Sequence, residues 1–435
     1  MTACAPRTFS AFDSNLKFGI VALILALVTA GMILAAPPLQ AQTFTVVHNF
    51  TGADGANPYP GLMIDRGGKL YGTTVRGGAG SCNIQGLSGC GTVFRVQPTG
   101  HGWFLNTLYS FHGTDGISPY SRVIFGPDGS LYGTTEQGGG VGSGTVFKLR
   151  PPASACKTAL CSWSETLLYS FTGGQDGGSP YSEVLFDQTG NLYGTTYAGG
   201  DHHGGTVYEL TPSNGWAETV IYNFGDSQDG EGPYGGMVFD ASGNLYATAS
   251  AGGYTGCNFG SYSGCGTVIQ LKPSGSGWTE TALYRFQNGS SGNTPEANLI
   301  IDGAGNLYGT TLGGGQHGGG TAFVLTPSNG NWEFNVVYPF TTNATDSGPF
   351  GPVTMDSAGN LYGTICGGGL YGYGAVFKLT PSNGGWTYTV LYSFTGADDG
   401  KNPSGTVVLD PQGNLYGTTL YGGASQFGLV WEIAL

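Results

Sequence analysis

Residues Gly190–Leu210 read GNLYGTTYAGGDHHGGTVYEL. A short apolar and β-branched run, LYGTT, enters a glycine-rich loop and leaves it through a second run, TVYEL. Two runs of strand-forming residues joined by glycines read as a hairpin. The loop holds Asp201, His202 and His203. These invite a metal or catalytic reading unless the same frame recurs elsewhere with other residues in the loop.

The frame does recur. The tyrosine of this element stands at positions 71, 132, 193, 246, 308, 362 and 416. Ahead of it lies an apolar segment ending in Asp, such as EVLFD (Glu183–Asp187) or TVVLD (Thr406–Asp410), and then a turn such as QTGN or PQGN. After the loop come a GTVF-type strand (Gly144–Leu149, Gly374–Leu379), a TPSNGGW turn and a last strand such as TYTVLYSF (Thr387–Phe394). A DGxxP loop opens the next unit. Gly, Asn, Asp and Pro in the connections are turn formers. Four short strands repeated seven times at ~55 residues predict an all-β seven-bladed β-propeller of four-stranded blades. A parallel β-helix would need shorter coils.

The frame predicts how the ring closes. Gln42–Phe50, QTFTVVHNF, copies the fourth strand with no partners before it, and Gly428–Leu435, GLVWEIAL, copies the third. The N-terminal strand is therefore expected to complete the last blade and remove an exposed edge. Burying about three of its apolar side chains contributes ~5–8 kcal/mol at most. A Trp precedes the strand-end Phe by eight residues at Trp103, Trp163, Trp216, Trp278, Trp332 and Trp386. These six read as packing or outer-rim residues. The matching position in the closing strand is Gln42.

Residues 42–435 thus form one propeller domain. Residues 1–41 stand apart: Gly19–Ala36 is nearly all apolar, follows Arg7 and Lys17, and is trailed by PPLQAQ. This is the pattern of a secretory signal peptide with a small residue, Ala41, at the cleavage point. An uncleaved N-terminal anchor is the alternative, since the run is near the ~18-residue lower limit for spanning. Cys4 precedes the apolar run, so the lipoprotein pattern is absent.

Composition agrees with a strand-and-turn protein. There are 82 Gly in 435 residues, 13% aromatic residues and only 9% charged ones. The net charge of −13 and the lack of a basic cluster argue against nucleic acid as a partner. No membrane contact is expected beyond the possible anchor, and a monomer is expected.

The units, GNLYGTTxxGGxxxGGTVFxLTPSxxxWxxxxLYSF in outline, resemble the GloVer tandem repeats of bacterial extracellular choice-of-anchor proteins. The resemblance covers nearly all of residues 42–435. It implies export and a propeller-like array, and it implies no activity. Members of that group carry C-terminal sorting segments; this chain ends in a strand at Leu435. Surface retention would then rest on the N-terminal segment.

Three of the six intervals between tyrosines are longer than the rest, and each of the three contains a local cysteine pair: Cys82 with Cys90, Cys156 with Cys161, and Cys257 with Cys265. In an exported chain these read as disulfide-stapled loops. No CxxC spacing points to zinc. Cys366 is left over and is expected to be a free, buried thiol.

The loop of the opening stretch is the variable part of the unit: YAGGDHHGG in blade 3 stands against LGGGQHGGG, CGGGLYGYG and YGGASQFG in blades 5 to 7. His202 and His203 are therefore read as loop decoration, and His317 lies two blades away. Adjacent residues of extended chain point to opposite sides, which does not suit one shared ion.

Taking the GMVFD-type strand (Gly236–Asp240) as innermost, as in other propellers, puts two rings on one face. The first is Asp54, Asp115, Asp176, Asp229, Asp346 and Asp399, with Ser291 in the fifth copy. These are turn-forming aspartates; a cation-attracting rim or calcium sites is the sharper reading, though each loop offers few ligands. The second is Tyr59, Tyr120, Tyr181, Tyr234 and Phe350, with Glu296 and Ser404 as exceptions. These residues either pack blade on blade or form an aromatic platform at the channel mouth.

No nucleophile elbow, zincin motif, P-loop or dinucleotide fingerprint is present, and no cofactor is implied. The sequence favours an exported, non-catalytic binding module for extracellular glycan or protein. A lactonase- or lyase-like propeller enzyme, or a purely structural surface protein, are the alternatives. An enzyme would need non-repeated polar residues of different blades converging in the channel.

Overall fold

A computed structural model describes residues 42–152, 163–225, 228–259, 262–275, 277–342, 346 and 348–435. Seven four-stranded antiparallel sheets stand around a central channel: the chain is a seven-bladed β-propeller. Blade 1 runs from the innermost strand Leu62–Ile64 through Leu70–Thr74 and Thr92–Thr99 to Gly102–Ser110. Among the described residues the only helical turn is a 3-10 turn at Pro212–Asn214. The signal or anchor segment, residues 1–41, and the Cys156–Cys161 pair lie outside the described residues.

The ring closes as the repeat predicts. In blade 7, Val408–Leu409, Leu415–Thr419 and Leu429–Ala434 are joined by Thr43–Asn49 from the start of the propeller. Val47 of that strand and Phe50 just after it are buried.

The second strand explains why LYGTT repeats. All five residues of Leu70–Thr74 are buried, because the blade is covered on both faces by its neighbours. Leu70, Gly72 and Thr74 face one way, Tyr71 and Thr73 the other. The Tyr hydroxyl donates to the Asp of the preceding turn, as in Tyr71 to Asp65 (3.2 Å), Tyr246 to Asp240 (3.0 Å) and Tyr362 to Asp356 (3.0 Å). The first Thr donates to the next blade: Thr73 to the Ser121 carbonyl, Thr134 to Ser182, Thr248 to Ala297. The Gly makes room. A Cβ on Gly72 would lie 2.6 Å from the Phe94 ring. In blade 4 the Gly is Ala247, and the residue opposite it is Ile269 rather than an aromatic.

The strand-end Phe is wholly buried in all seven copies. It meets the third strand of the next blade, as in Phe50–Phe94 and Phe111–Phe147, with centroids 5.1 and 5.0 Å apart. The tryptophans are blade-to-blade packing too: Trp103 on Tyr416, Trp278 on Tyr193, Trp332 on Tyr246. The core is thus a ring of clusters between blades. A register shift interrupts the third-to-fourth strand pairing of every blade. Such bulges increase the local twist.

Cys82–Cys90 and Cys257–Cys265 are disulfides. Each encloses a small hairpin, Asn83–Ile84 with Leu87–Ser88 and Asn258–Phe259 with Tyr262–Ser263. Cys366 is buried, at 3% exposure, but it is not the free thiol that the sequence suggests. It is disulfide-bonded. Local spacing reveals only pairs that are close in sequence, and no other cysteine stands near Cys366.

Candidate functional site

The DGxxP loops carry each chain segment to the start of an innermost strand. In every blade the residue before the proline adopts a positive φ: Asn57, Ser118, Ser179, Gly232, Thr294, Gly348 and Asn402. Left-handed backbone is costly for non-Gly residues and persists only where the surroundings fix it. Here the following proline packs on the glycine that ends the preceding blade's loop. A Cβ on Gly91 would lie 2.5 Å from Pro119, and one on Gly374 would lie 2.4 Å from Pro403. The next residue is thereby aimed at the channel.

That residue is the second ring of the sequence analysis, and the structure brings its members together. Tyr59, Tyr120, Tyr181, Tyr234, Phe350, Glu296 and Ser404 line one cavity of about 70 Å³. The rings touch in succession. Tyr59 meets Phe350 and Tyr120 edge-on at 5.7 and 5.1 Å, Tyr120 meets Tyr181 at 5.4 Å, and Tyr181 stacks on Tyr234 at 4.7 Å. The Tyr59 and Tyr234 hydroxyls, from blades 1 and 4, lie 3.3 Å apart across the channel. Tyr181 donates to Glu136. Tyr120 is buried, whereas Tyr59, Tyr181, Tyr234 and Phe350 keep part of their surface exposed.

Glu296 is the exception in this ring. It is only 6% exposed, and its Oε1 has no hydrogen-bond partner. Burial pushes its carboxyl up to about 8. An unpaired buried carboxylate is costly, and taking up a proton is the usual relief. Burial first, and the Glu296 charge after it, push the Tyr59 hydroxyl well above its usual range.

A polar floor lies two residues further along the innermost strands. Arg122 of blade 2 pairs with Glu183 of blade 3, Nε to Oε2 at 2.6 Å. Asn298 of blade 5 donates to Glu183 Oε1 at 2.6 Å, and its own Oδ1 accepts from the Gly236 backbone of blade 4 at 2.5 Å. Burial opposes the Arg122 charge, but the Glu183 carboxylate overrides it and holds the guanidinium more firmly protonated. Four blades are tied together by this network. The sequence reading missed all three side chains. The positions two beyond the ring are Gly61, Arg122, Glu183, Gly236, Asn298, Pro352 and Thr406. Their departure from the repeat was the available signal.

The aspartate ring is placed differently. Its carboxylates turn back into their own blades. Tyr109 donates to Asp115 at 2.5 Å, Tyr169 to Asp176 at 3.1 Å, and Tyr392 to Asp399 at 3.0 Å. Asp54 takes His48 Nε2 at 2.8 Å and the Thr51 backbone N–H at 2.8 Å. In blade 5, Ser291 Oγ accepts from the Gln287 N–H at 3.2 Å. These acids close the loops and do not converge on a calcium position. His202 and His203 are exposed on their loop. Among the described residues no three His, Cys, Asp or Glu side chains are grouped to hold a metal ion.

The sequence profile of the Gloeobacter/Verrucomicrobia repeat matches residues 29–166, 80–257 and 254–435. The chain belongs to the Gloeobacter/Verrucomicrobia repeat family. No curated protein matches this family member. Among solved structures it is similar to a Thermus thermophilus protein described as an oxidoreductase (glucose dehydrogenase). The identity is 14% and the TM-score 0.43, over 90% of this chain and 100% of that one. A Dyadobacter fermentans protein of unknown function is similar at 11% identity and TM-score 0.35, over 54% of this chain and 73% of that one. Likenesses this distant assign no activity to a Gloeobacter/Verrucomicrobia repeat chain. Fold alone does not fix function.

Proposed function

We propose that this propeller is an exported binding module that takes an extracellular glycan across the channel mouth. The observation that carries the reading is one cavity edged by five aromatic rings and floored by Arg122, Glu183 and Asn298. Aromatic rings with a few fixed polar groups suit a ligand of mixed apolar and hydroxylated surface. A cavity of about 70 Å³ is small beside the ~150 Å³ that admits a benzene ring. A sugar ring therefore lies over the aromatic platform and sends one substituent into the cavity. Export is supported by the apolar N-terminal run and by two loop disulfides, which persist in oxidising compartments. Among the described residues, no helix is long and apolar enough to cross a membrane.

The test is sedimentation with insoluble polysaccharides, together with a glycan array, using the protein expressed from the full chain. Retention on at least one polysaccharide is expected. Retention on none would move the reading to a protein partner or a structural role.

One observation favours a catalytic reading of the same channel: Glu296 is raised to about 8 while Glu183 is held against Arg122. Two carboxyls in contrasting environments suit acid–base work. Release of shortened or unsaturated products from a retained polysaccharide would favour that reading over simple binding.

A further inference from the structure

Glu296 poses a question that the platform alone does not answer. At the ring position of blade 5 the chain places a carboxyl where four blades place Tyr and one places Phe. It is more than nine-tenths buried, it lines the cavity, and Oε1 has no partner. Among the described residues the cation that lines this cavity is Arg122, and it is already committed to Glu183 at 2.6 Å. No cation among the described residues is left to pair with Glu296.

The chemistry of the missing partner follows by elimination. An anion is repelled by Glu296 and by a chain of net charge −13. A divalent metal wants six or more oxygens, or a set of nitrogen and sulfur ligands, and a single free carboxyl supplies neither. A hydroxyl leaves the buried charge uncompensated. An ammonium group satisfies the carboxylate and is attracted to surrounding aromatic rings. A primary ammonium carries three donors. Three acceptors are at hand: Glu296 Oε1 and the Tyr59 and Tyr234 hydroxyls. The small cavity suits a head group of this size.

We propose that Glu296, Tyr59 and Tyr234 form a receptor for the protonated amino group of an amino sugar. The site thus selects a glycan with free amino groups over its N-acetylated form. This inference rests on the glycan reading above for the ligand's identity, though not for the ammonium itself.

The test is isothermal titration calorimetry on the protein expressed from the full chain, with three probes. These are a fully deacetylated glucosamine tetramer, its N-acetylated counterpart and methylammonium chloride. The deacetylated tetramer is expected to bind roughly tenfold or more tighter than the acetylated one, from one charge-assisted contact. Glu296→Gln keeps shape and volume, and it is expected to abolish that preference while its melting curve shows a folded protein. Tyr234→Phe, which keeps the ring and removes one acceptor, is expected to weaken the preference in part. Equal affinity for the two tetramers, or a preference that survives in Glu296→Gln, overturns the ammonium receptor and leaves glycan binding intact. If neither tetramer binds, but methylammonium does and Glu296→Gln abolishes it, the receptor stands and the glycan reading falls. If no probe binds, both fall.

Discussion

Tyr392 of blade 6 stacks on Phe44 of the closing strand, with centroids 4.0 Å apart and planes 7° from parallel. This pair joins blade 6 to the strand that completes blade 7, so it bears directly on ring closure. Phe44→Ala is expected to lower stability by about 2 kcal/mol through lost burial and lost ring contact. Phe44→Tyr is expected to be nearly neutral. Deleting residues 42–50 leaves Leu429–Ala434 as an open edge, and self-association is expected. Urea unfolding checks the first two variants, and sedimentation velocity checks the third.

The same interface position differs around the ring. Tyr284 stacks on Phe334 at 3.9 Å and Tyr338 on Tyr388 at 4.7 Å. At the first half of the ring the partners are Glu165, opposite Tyr109, and Glu218, opposite Tyr169. Burial, with Asp115 or Asp176 nearby, pushes both glutamates from 4.5 up to about 7. A carboxyl whose folded pKa lies above its unfolded one holds its proton more tightly when folded. The stability it contributes is complete below pH 4.5 and is lost as pH rises towards 7. The turn acids Asp240, Asp302 and Asp356 are also burdened by burial, but hydrogen bonds, led by those from Asn244, Asn306 and Asn360, outweigh it and lower them. Their contribution is present above their unfolded value of 3.8 and is lost as pH falls. Thermal melts are therefore expected to show greatest stability at mildly acidic pH. Glu165→Gln with Glu218→Gln is expected to flatten the decline between about pH 5 and 7.

A close approach sets the glycine of LYGTT. A Cβ on Gly417 would come 2.3 Å from the Trp431 ring. Gly417→Ala is expected to cost ~1–3 kcal/mol by overpacking, measured as a shift in the urea midpoint. Ala247 already carries that methyl opposite Ile269. Ile269→Phe is accordingly expected to be tolerated only together with Ala247→Gly, which a double-mutant cycle would show.

The disulfides act locally. Replacing Cys82 and Cys90 by Ser frees a short loop, at a cost of about 2.5 kcal/mol in a chain-entropy account. Hydrogen exchange is expected to quicken across the Asn83–Ser88 hairpin and to leave the LYGTT strands unchanged.

The blades, their strand order and the closing strand were legible in the sequence because one frame recurs seven times, so each copy tests the others. The aromatic ring with Glu296 was legible for the same reason: a residue that breaks a repeat stands out once the copies are aligned. Arg122, Glu183 and Asn298 were not legible because they stand where the frame reads as an apolar segment, and only the closed ring brings three different blades to one point. The Glu-for-aromatic exchange at the blade interfaces was hidden by geometry. Residues 165 and 109 meet only when two blades pack. The bond at Cys366 was not legible because local spacing offers no cysteine near it in the sequence.

The central claim is that the channel-mouth aromatics receive a glycan. The most direct measurement compares polysaccharide retention of the native protein with that of the Tyr120→Ala, Tyr181→Ala double variant, after melting curves show both folded. Loss of retention in the variant alone is the predicted result. Equal retention by both proteins would contradict the account and return the aromatic ring to packing alone.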